Sequence, residues 1–432
     1  MYLDITSIDT GLKDESFRYE LYKGDTKVKE GNFSDSYLTS NTVTCSKNNT
    51  NHIVLLTNES ISTSKTSYTL YIWIDGENYT NPNTMMNKTF SFKLHADGEG
   101  AVLNTPLGNA VEYITNLYTN AEKTPVTNNS ITYNTAPSVS LMNDRLGGTT
   151  EDLNGGNIRY YGASPSNYVY FNCETYPNTN CEVWRIIGVF DGKLKIIRNE
   201  SIGQYSWDNK DTSTGAEGDF GKNDWTTARL MKLLNPSDYY EVDTNDNGLG
   251  QSLYYNSASG KCYSGKNNAT VDCDFTSTGI KNNTTRNMIT EVTYNLGGWH
   301  DSPVYSNQIY TYERGTIVYT GNHTLWTGKI ALAYPSDYGY AADLSECNQK
   351  LYYYNNSSCT TNDWLFTSEV KSLLTPSADS QSRTWYINND GLSFGNALQG
   401  HARHVYPTLF LISKLEIESG DGSESSPYKL SV

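Results

Sequence analysis

Hydrophobic and polar residues alternate with period two through the first hundred residues, and turn residues interrupt the pattern at short intervals. The stretch FRYELYKGDTKVKEGNF (17–33) reads as a hairpin, with Phe17, Tyr19 and Leu21 on one side and Gly24-Asp25 at the turn. HIVLL (52–56), YTLYIWID (68–75) and TFSFKLHA (89–96) supply further strands. In YTLYIWID, Leu70, Ile72 and Ile74 share one face while Tyr71 and Trp73 take the other, which predicts a strand covered on both sides. About six or seven strands in this length predict an all-β sandwich over 1–103. No catalytic constellation falls within it, so it reads as a stalk or spacer.

The period changes at 104. Thr105 is placed to cap a helix that begins at Pro106, where a missing N–H does no harm, and Ala110, Ile114, Leu117 and Ala121 recur at helical spacing. The polar stretch TPVTNNSITYNTAPS (124–138) reads as a linker, making 104–150 a helix-and-linker segment. From 151 to 432 strands and helices mix. VWRIIGVFDGKLKIIR (183–198) predicts a hairpin with Asp191-Gly192 at the turn, and its β-branched residues place it centrally in a sheet. NDWTTARLMKLLN (223–235) reads as a helix capped by Asn223 or Asp224 and stopped by Pro236. NTTRNMITEVTYNLGG (283–298) reads as a second, burying Met288, Val292 and Leu296, and SNQIYTYERG (306–315) as a third. Strands return at 328–335, 372–376, 383–389 and 405–413. The fold class is multidomain: a β-sandwich followed by an α+β domain.

Seven cysteines sharpen the picture. Cys173 and Cys181, Cys262 and Cys273, and Cys347 and Cys359 each bracket a short polar stretch, which predicts three local disulfides and an oxidising compartment. No spacing suits zinc, and Cys45 is left over as a buried thiol or an intermolecular partner. A net charge of −15 excludes binding to a nucleic-acid backbone, and no apolar run is long enough to span a membrane. Residues 1–10 already read as a strand, so an export or anchoring segment is expected to have been trimmed; the C-terminal SSPYKLSV carries no anchor signal.

The order NYVYFNC…CEVWRIIGVFDGKLKIIRNESIG, the NDW segment, TGKIALAYPSDYGYA, LLTP, VYPTLFL and SGDGSESSPYKL resembles a module of surface proteins from gut Firmicutes and Mollicutes-like bacteria. That module is similar to C-type-lectin-like domains of the formylglycine-generating-enzyme type, a fold also used by the variable proteins of diversity-generating retroelements. The resemblance covers 151–432. It implies that the segment before the last strand carries the variable, ligand-binding side chains. Here that segment is RTWYINNDGLSFGNALQGHARHV (383–405), which shows no period from 390 onward. Trp385, Tyr386 and Phe394 are the expected apolar anchors, with Leu392 and Leu398 beside them. Asn388, Asn396, Gln399, His401, Arg403 and His404 are the expected polar contacts. Tyr406 stands where relatives often carry arginine.

Other sites are weaker. DTNDNG (243–248) opens like a calcium loop, but Tyr254 stands at the twelfth position in place of the required glutamate. His401 and His404 lack a third ligand, so no metal or cofactor is expected. Formylglycine chemistry needs a late reactive thiol, and Cys359 is committed to Cys347. No GxSxG, dinucleotide fingerprint or P-loop occurs. Trp184, Trp225, Trp299, Trp326 and Trp364 read as structural. The sequons at Asn48, Asn58, Asn78 and Asn87 follow from composition. The reading is an extracellular or cell-surface, non-enzymatic binding protein, meeting a protein or glycan ligand on another cell or on a phage. A pilus or surface-layer component and a carbohydrate-active enzyme are the rivals. Tyrosine is abundant, 35 of 432 residues, and charge is sparse, the composition of an exposed extracellular fold with a small aliphatic core.

Overall fold

The computed structural model describes residues 1–44, 51–57, 66–77, 79, 82–95, 106–145, 156–209, 221–241, 248–263, 270–396 and 403–431. Cys45 and the first five positions of the calcium-like loop lie outside the described residues. Strand outweighs helix, 38% against 17%, so the chain is mostly β. It divides into two units, Met1–Asn104 and Thr105–Val432.

The first unit holds two antiparallel sheets around one core. A four-stranded sheet runs Thr42–Thr44, Asn51–Val54, Tyr2–Ile8, Phe90–His95, and a three-stranded sheet runs Thr26–Asn32, Phe17–Lys23, Tyr68–Ile74. The predicted hairpin is present, and Gly24 at its turn has a φ of 57°. Phe17, Tyr19 and Leu21 point inward to meet Leu3 and Ile53 from the facing sheet, with Phe33 between them. Each such side chain contributes roughly 1.5–3 kcal/mol when fully buried. Two readings change. A helix not foreseen, Asp35–Asn41, is capped by Ser34, whose hydroxyl accepts from the Tyr37 N–H. The strand Tyr68–Ile74 is not covered on both sides, since Tyr71 and Ile74 are exposed at the sheet edge.

The second unit is organised on the hairpin Glu182–Phe190 and Lys193–Arg198. Asp191 and Gly192 both take positive φ, 47° and 69°, the turn the sequence predicts. Trp184, Ile186, Ile187, Leu194, Ile196 and Ile197 are all buried, so both faces of this hairpin are covered. Ile158–Tyr160 and Tyr168–Phe171 flank its first strand, and Thr408–Phe410 flanks its second. The tail strand Tyr428–Ser431 lies parallel to Tyr168–Phe171, which builds the SGDG…PYKL segment into the same sheet.

Several expected elements fold differently. The stretch read as a linker, 124–138, forms the hairpin Thr124–Asn128 and Ile131–Ala136 at the end of the twelve-stranded sheet. The helix expected from Pro106 begins at Ala110 and ends at Asn120; the Asn109 side chain caps it by accepting from the N–H groups of Val111 and Glu112. The helix expected over 283–298 stops at Met288, and Val292–Asn295 pairs as a strand with Leu325–Gly328. Thr290, Val292 and Thr293 favour extended backbone there. The 223–235 helix is only Arg229–Leu234. Asn223 does not cap it. Its amide instead donates to the carbonyls of Ser377, Ser380 and Arg383 at 2.9, 2.7 and 2.7 Å. After Ala331 the predicted strand gives way to the helix Pro335–Ala341, with proline at its first turn.

Buried charges join these pieces. Arg159 donates from Nε to Asp144 at 2.5 Å and from Nη1 to Asp337 at 2.9 Å, and the Lys195 ammonium bonds the other Asp337 oxygen. Burial opposes the Asp337 charge, but Lys195 and Arg159 hold its carboxyl below the usual range. All three predicted disulfides are formed, Cys173–Cys181, Cys262–Cys273 and Cys347–Cys359. Such bonds belong to an oxidising compartment. No helix among the described residues is long and apolar enough to cross a membrane.

Candidate functional site

The expected binding segment is a hairpin on the edge of a second, five-stranded sheet. The order is Gln204–Tyr205, Arg403–His404, Lys371–Pro376, Arg383–Asn388, Gly391–Asn396. The expectation that periodicity ends at 390 is corrected, because Gly391–Asn396 pairs back on Arg383–Asn388 through an Asn389-Asp390 turn. The Asn388 side chain accepts from the Asp390 N–H at 2.8 Å, closing that turn. Gly391, at φ 103°, is needed beyond the turn: a Cβ there would sit 2.7 Å from the Leu351 carbonyl oxygen.

Pairing sorts the predicted residues onto two faces. Trp385 opposes Phe394 and Ile387 opposes Leu392, so these four share one face. Trp385, Ile387 and Leu392 are each 1% exposed and join the core, and Phe394 packs edge-on to Trp385 at 5.5 Å. Trp385 and Leu392 are therefore not surface contacts; they pin the hairpin to the body of the unit.

The other face carries Thr384, Tyr386, Ser393 and Gly395. Arg403 crosses it, 4.1 Å from the Tyr386 ring, and its Nη1 reaches the Thr384 hydroxyl at 3.5 Å. Gly395 makes room, since a Cβ would meet the Arg403 guanidinium at 2.9 Å. Arg403 is 3% exposed, and among the described residues its Nε has no acceptor and no carboxylate pairs with it. Burial alone lowers its pKa, to about 10. A buried guanidinium in that state is costly, and an incoming acceptor relieves the cost. Tyr386 and Asn388 are half-buried.

His404 sits beside this face, with its Nε2 2.8 Å from the Gln204 side-chain nitrogen and its Nδ1 3.7 Å from Glu369. Tyr406 donates its hydroxyl to Glu369 and lies under the Lys371 ammonium, 4.4 Å from the ring centre. Asn396 pairs with Arg383 through the backbone. Leu398, Gln399 and His401 lie outside the described residues. The five tryptophans are structural in position: Trp184, Trp225, Trp326 and Trp364 are buried, and Trp299 stacks on Tyr312 at 3.5 Å. No group of three metal-ligating side chains occurs among the described residues.

Comparison with protein-family models, with curated proteins and with solved structures yields no match to this chain.

Proposed function

We propose that this chain is an extracellular, cell-surface binding protein that presents the segment 383–404 on a C-type-lectin-like scaffold, the side chains on the open face of its hairpin 383–396 being diversified by a retroelement. The carrying observation is the division of labour within the hairpin. One face is sunk into the core by Trp385, Ile387 and Leu392; the other holds the half-buried Tyr386 and Asn388 over a buried Arg403 whose Nε has no acceptor among the described residues. Side chains on the second face change without unseating the first, so recognition and stability are separable. The ligand is a protein or glycan on another cell or on a phage, and binding without catalysis is the role assigned.

Two experiments test this. Sequencing the coding region from many strains is expected to find substitutions concentrated in 383–404, with a reverse transcriptase gene and an imperfect copy of this DNA nearby. Equal variability in 383–404 and in the central hairpin 183–198 would overturn the diversification. Purified chain with Tyr386→Ala and Asn388→Ala is expected to stay folded, with only a small fall in melting temperature, and to lose adhesion to a panel of immobilised glycans and cells. Undiminished adhesion would remove the hairpin from the site.

A further inference from the structure

A separate cleft of about 490 Å³ opens in the second unit, lined by the turn of the central hairpin, the strand Val292–Asn295 and the end of the helix Ser306–Glu313. None of the described residues of 383–404 lines it. Its chemistry follows from four cations gathered from distant parts of the sequence.

Arg314 lies 3.4 Å from the centre of the Tyr310 ring. Its polar contacts are long, 3.4 Å to the Tyr310 carbonyl and 3.4 Å to a Glu313 oxygen. The Glu313 carboxyl is otherwise engaged: it accepts from the Ser336 N–H at 2.9 Å and from the Ser336 hydroxyl at 2.5 Å. Burial lifts that carboxyl to about 7, so it balances Arg314 only in part. Lys193, at the mouth, makes no ion pair among the described residues. Deeper in, Lys195 is committed to Asp337 and ringed by Phe190, Tyr334 and Phe410 at 5.2, 4.6 and 5.6 Å. Behind the wall, Arg159 packs on the Phe190 and Tyr310 rings, and its buried Nη2 has no acceptor. Asp144 and Asp337 are both spent on Arg159 and Lys195. The wall therefore offers Arg314, held only by long contacts, and Lys193 as donors, opposite the carboxylates of Asp191 and Glu291.

The rest of the lining is suited to a hydroxylated ring. Phe410, half-buried, meets the buried Phe190 edge to face at 6.1 Å and is the aromatic side chain left partly open to a ring. Asn295 and Glu291 stand at the strand side as acceptors for hydroxyl groups. Two carboxylates, Asp191 and Glu291, line the cleft as well, so a ligand that meets the whole lining carries both hydroxyl donors for these acids and an anionic group for Arg314 and Lys193.

We infer that this cleft binds an acidic monosaccharide unit, carboxylated or sulfated, with its anionic group on Arg314 and Lys193, its hydroxyl groups on Asp191, Glu291 and Asn295, and its ring against Phe410. It is a site separate from the hairpin, and its test does not depend on the hairpin proposal.

Calorimetric titration of the full chain with glucuronic acid, N-acetylneuraminic acid, glucose 6-sulfate and glucose tests this. Saturable binding of at least one acidic sugar, weakened by salt, with none for glucose, is the expected result. Which acid binds distinguishes a carboxylate from a sulfate. Arg314→Gln should weaken that sugar about tenfold or more, the loss of one charge-assisted contact, and Lys193→Gln about three- to fivefold. Tyr386→Ala should leave it unchanged, which separates this site from the hairpin. Equal binding of glucose, no saturable binding of any acidic sugar, or full affinity in both charge variants with unchanged melting would overturn the inference.

Discussion

Arg159 and Lys195 share one carboxylate, that of Asp337, where all three side chains are about 1% exposed. Removing that charge strands the buried Lys195 ammonium and leaves Arg159 with Asp144 alone, which costs more than the pair itself is worth. Asp337→Asn is expected to lower the unfolding free energy by about 3–5 kcal/mol, read from denaturant melts. Lys195→Met keeps the Arg159–Asp337 bond and offers an apolar chain to the Phe190, Tyr334 and Phe410 rings, so its loss should be smaller. A Lys195→Met variant as damaged as Asp337→Asn would show that the ammonium carries the structure. None of this is visible in KLKIIR, where Lys195 is simply one of two lysines in a strand. Its place among the buried Leu194, Ile196 and Ile197 is the one local sign, since a charge there demands a partner that the strand itself does not supply.

At the scale of the element, the edge hairpin makes the cleanest contrast. Trp385→Ala removes a fully buried ring and is expected to cost about 3–5 kcal/mol, whereas Tyr386→Ala, half-exposed on the open face, should cost about 1 kcal/mol. Comparable losses at the two positions would mean that the faces are not separated. The central hairpin offers a second test. Gly188 opposes Arg159, and a Cβ there would fall 2.1 Å from the Ile158 carbonyl oxygen, in backbone that cannot step aside. Gly188→Ala should therefore destabilise by about 1–3 kcal/mol, seen as a lower melting temperature. Period and turn chemistry were enough to locate both arms of 183–198. They were not enough for 391–396, where two glycines in six residues erase the alternation, or for 124–138, whose strands are polar because they lie at the end of the sheet.

For the molecule as a whole, acidity has a consequence for stability. Asp208 and Glu313 are lifted to about 7 and Asp363 to about 8, in each case by burial. A carboxyl whose folded value lies above its unfolded one keeps a proton that the unfolded chain has released. Its contribution is therefore full below about pH 4 and is lost as the pH rises through the folded values. The second unit is expected to unfold more easily at pH 8 than at pH 5. The net charge of −15 acts in the same sense, but salt screens that part and leaves the buried part. Asp363→Asn, whose amide oxygen still accepts from the Leu365 and Phe366 N–H groups, should flatten the remaining slope in high salt. A slope unaltered by that substitution would place the effect elsewhere. Reducing agent should also lower the melting temperature, since each local disulfide is worth about 2–4 kcal/mol.

The sequence by itself determined the three disulfides, the two-sheet character of the first hundred residues and the central hairpin with its Asp191-Gly192 turn. Each rests on neighbours in the chain: a short loop between cysteines, an alternation, a dipeptide that tolerates positive φ. Tertiary structure alone decided that Trp385 and Leu392 are core while Tyr386 is surface, because strand pairing, not residue type, assigns the faces. It alone decided where the charges meet. Arg159, Lys195 and Asp337 come from three separate elements, and nothing local in the chain records that they share one point. Burial makes that meeting consequential, since only in a dry interior does an unpaired donor cost enough to shape a fold or to wait for a ligand.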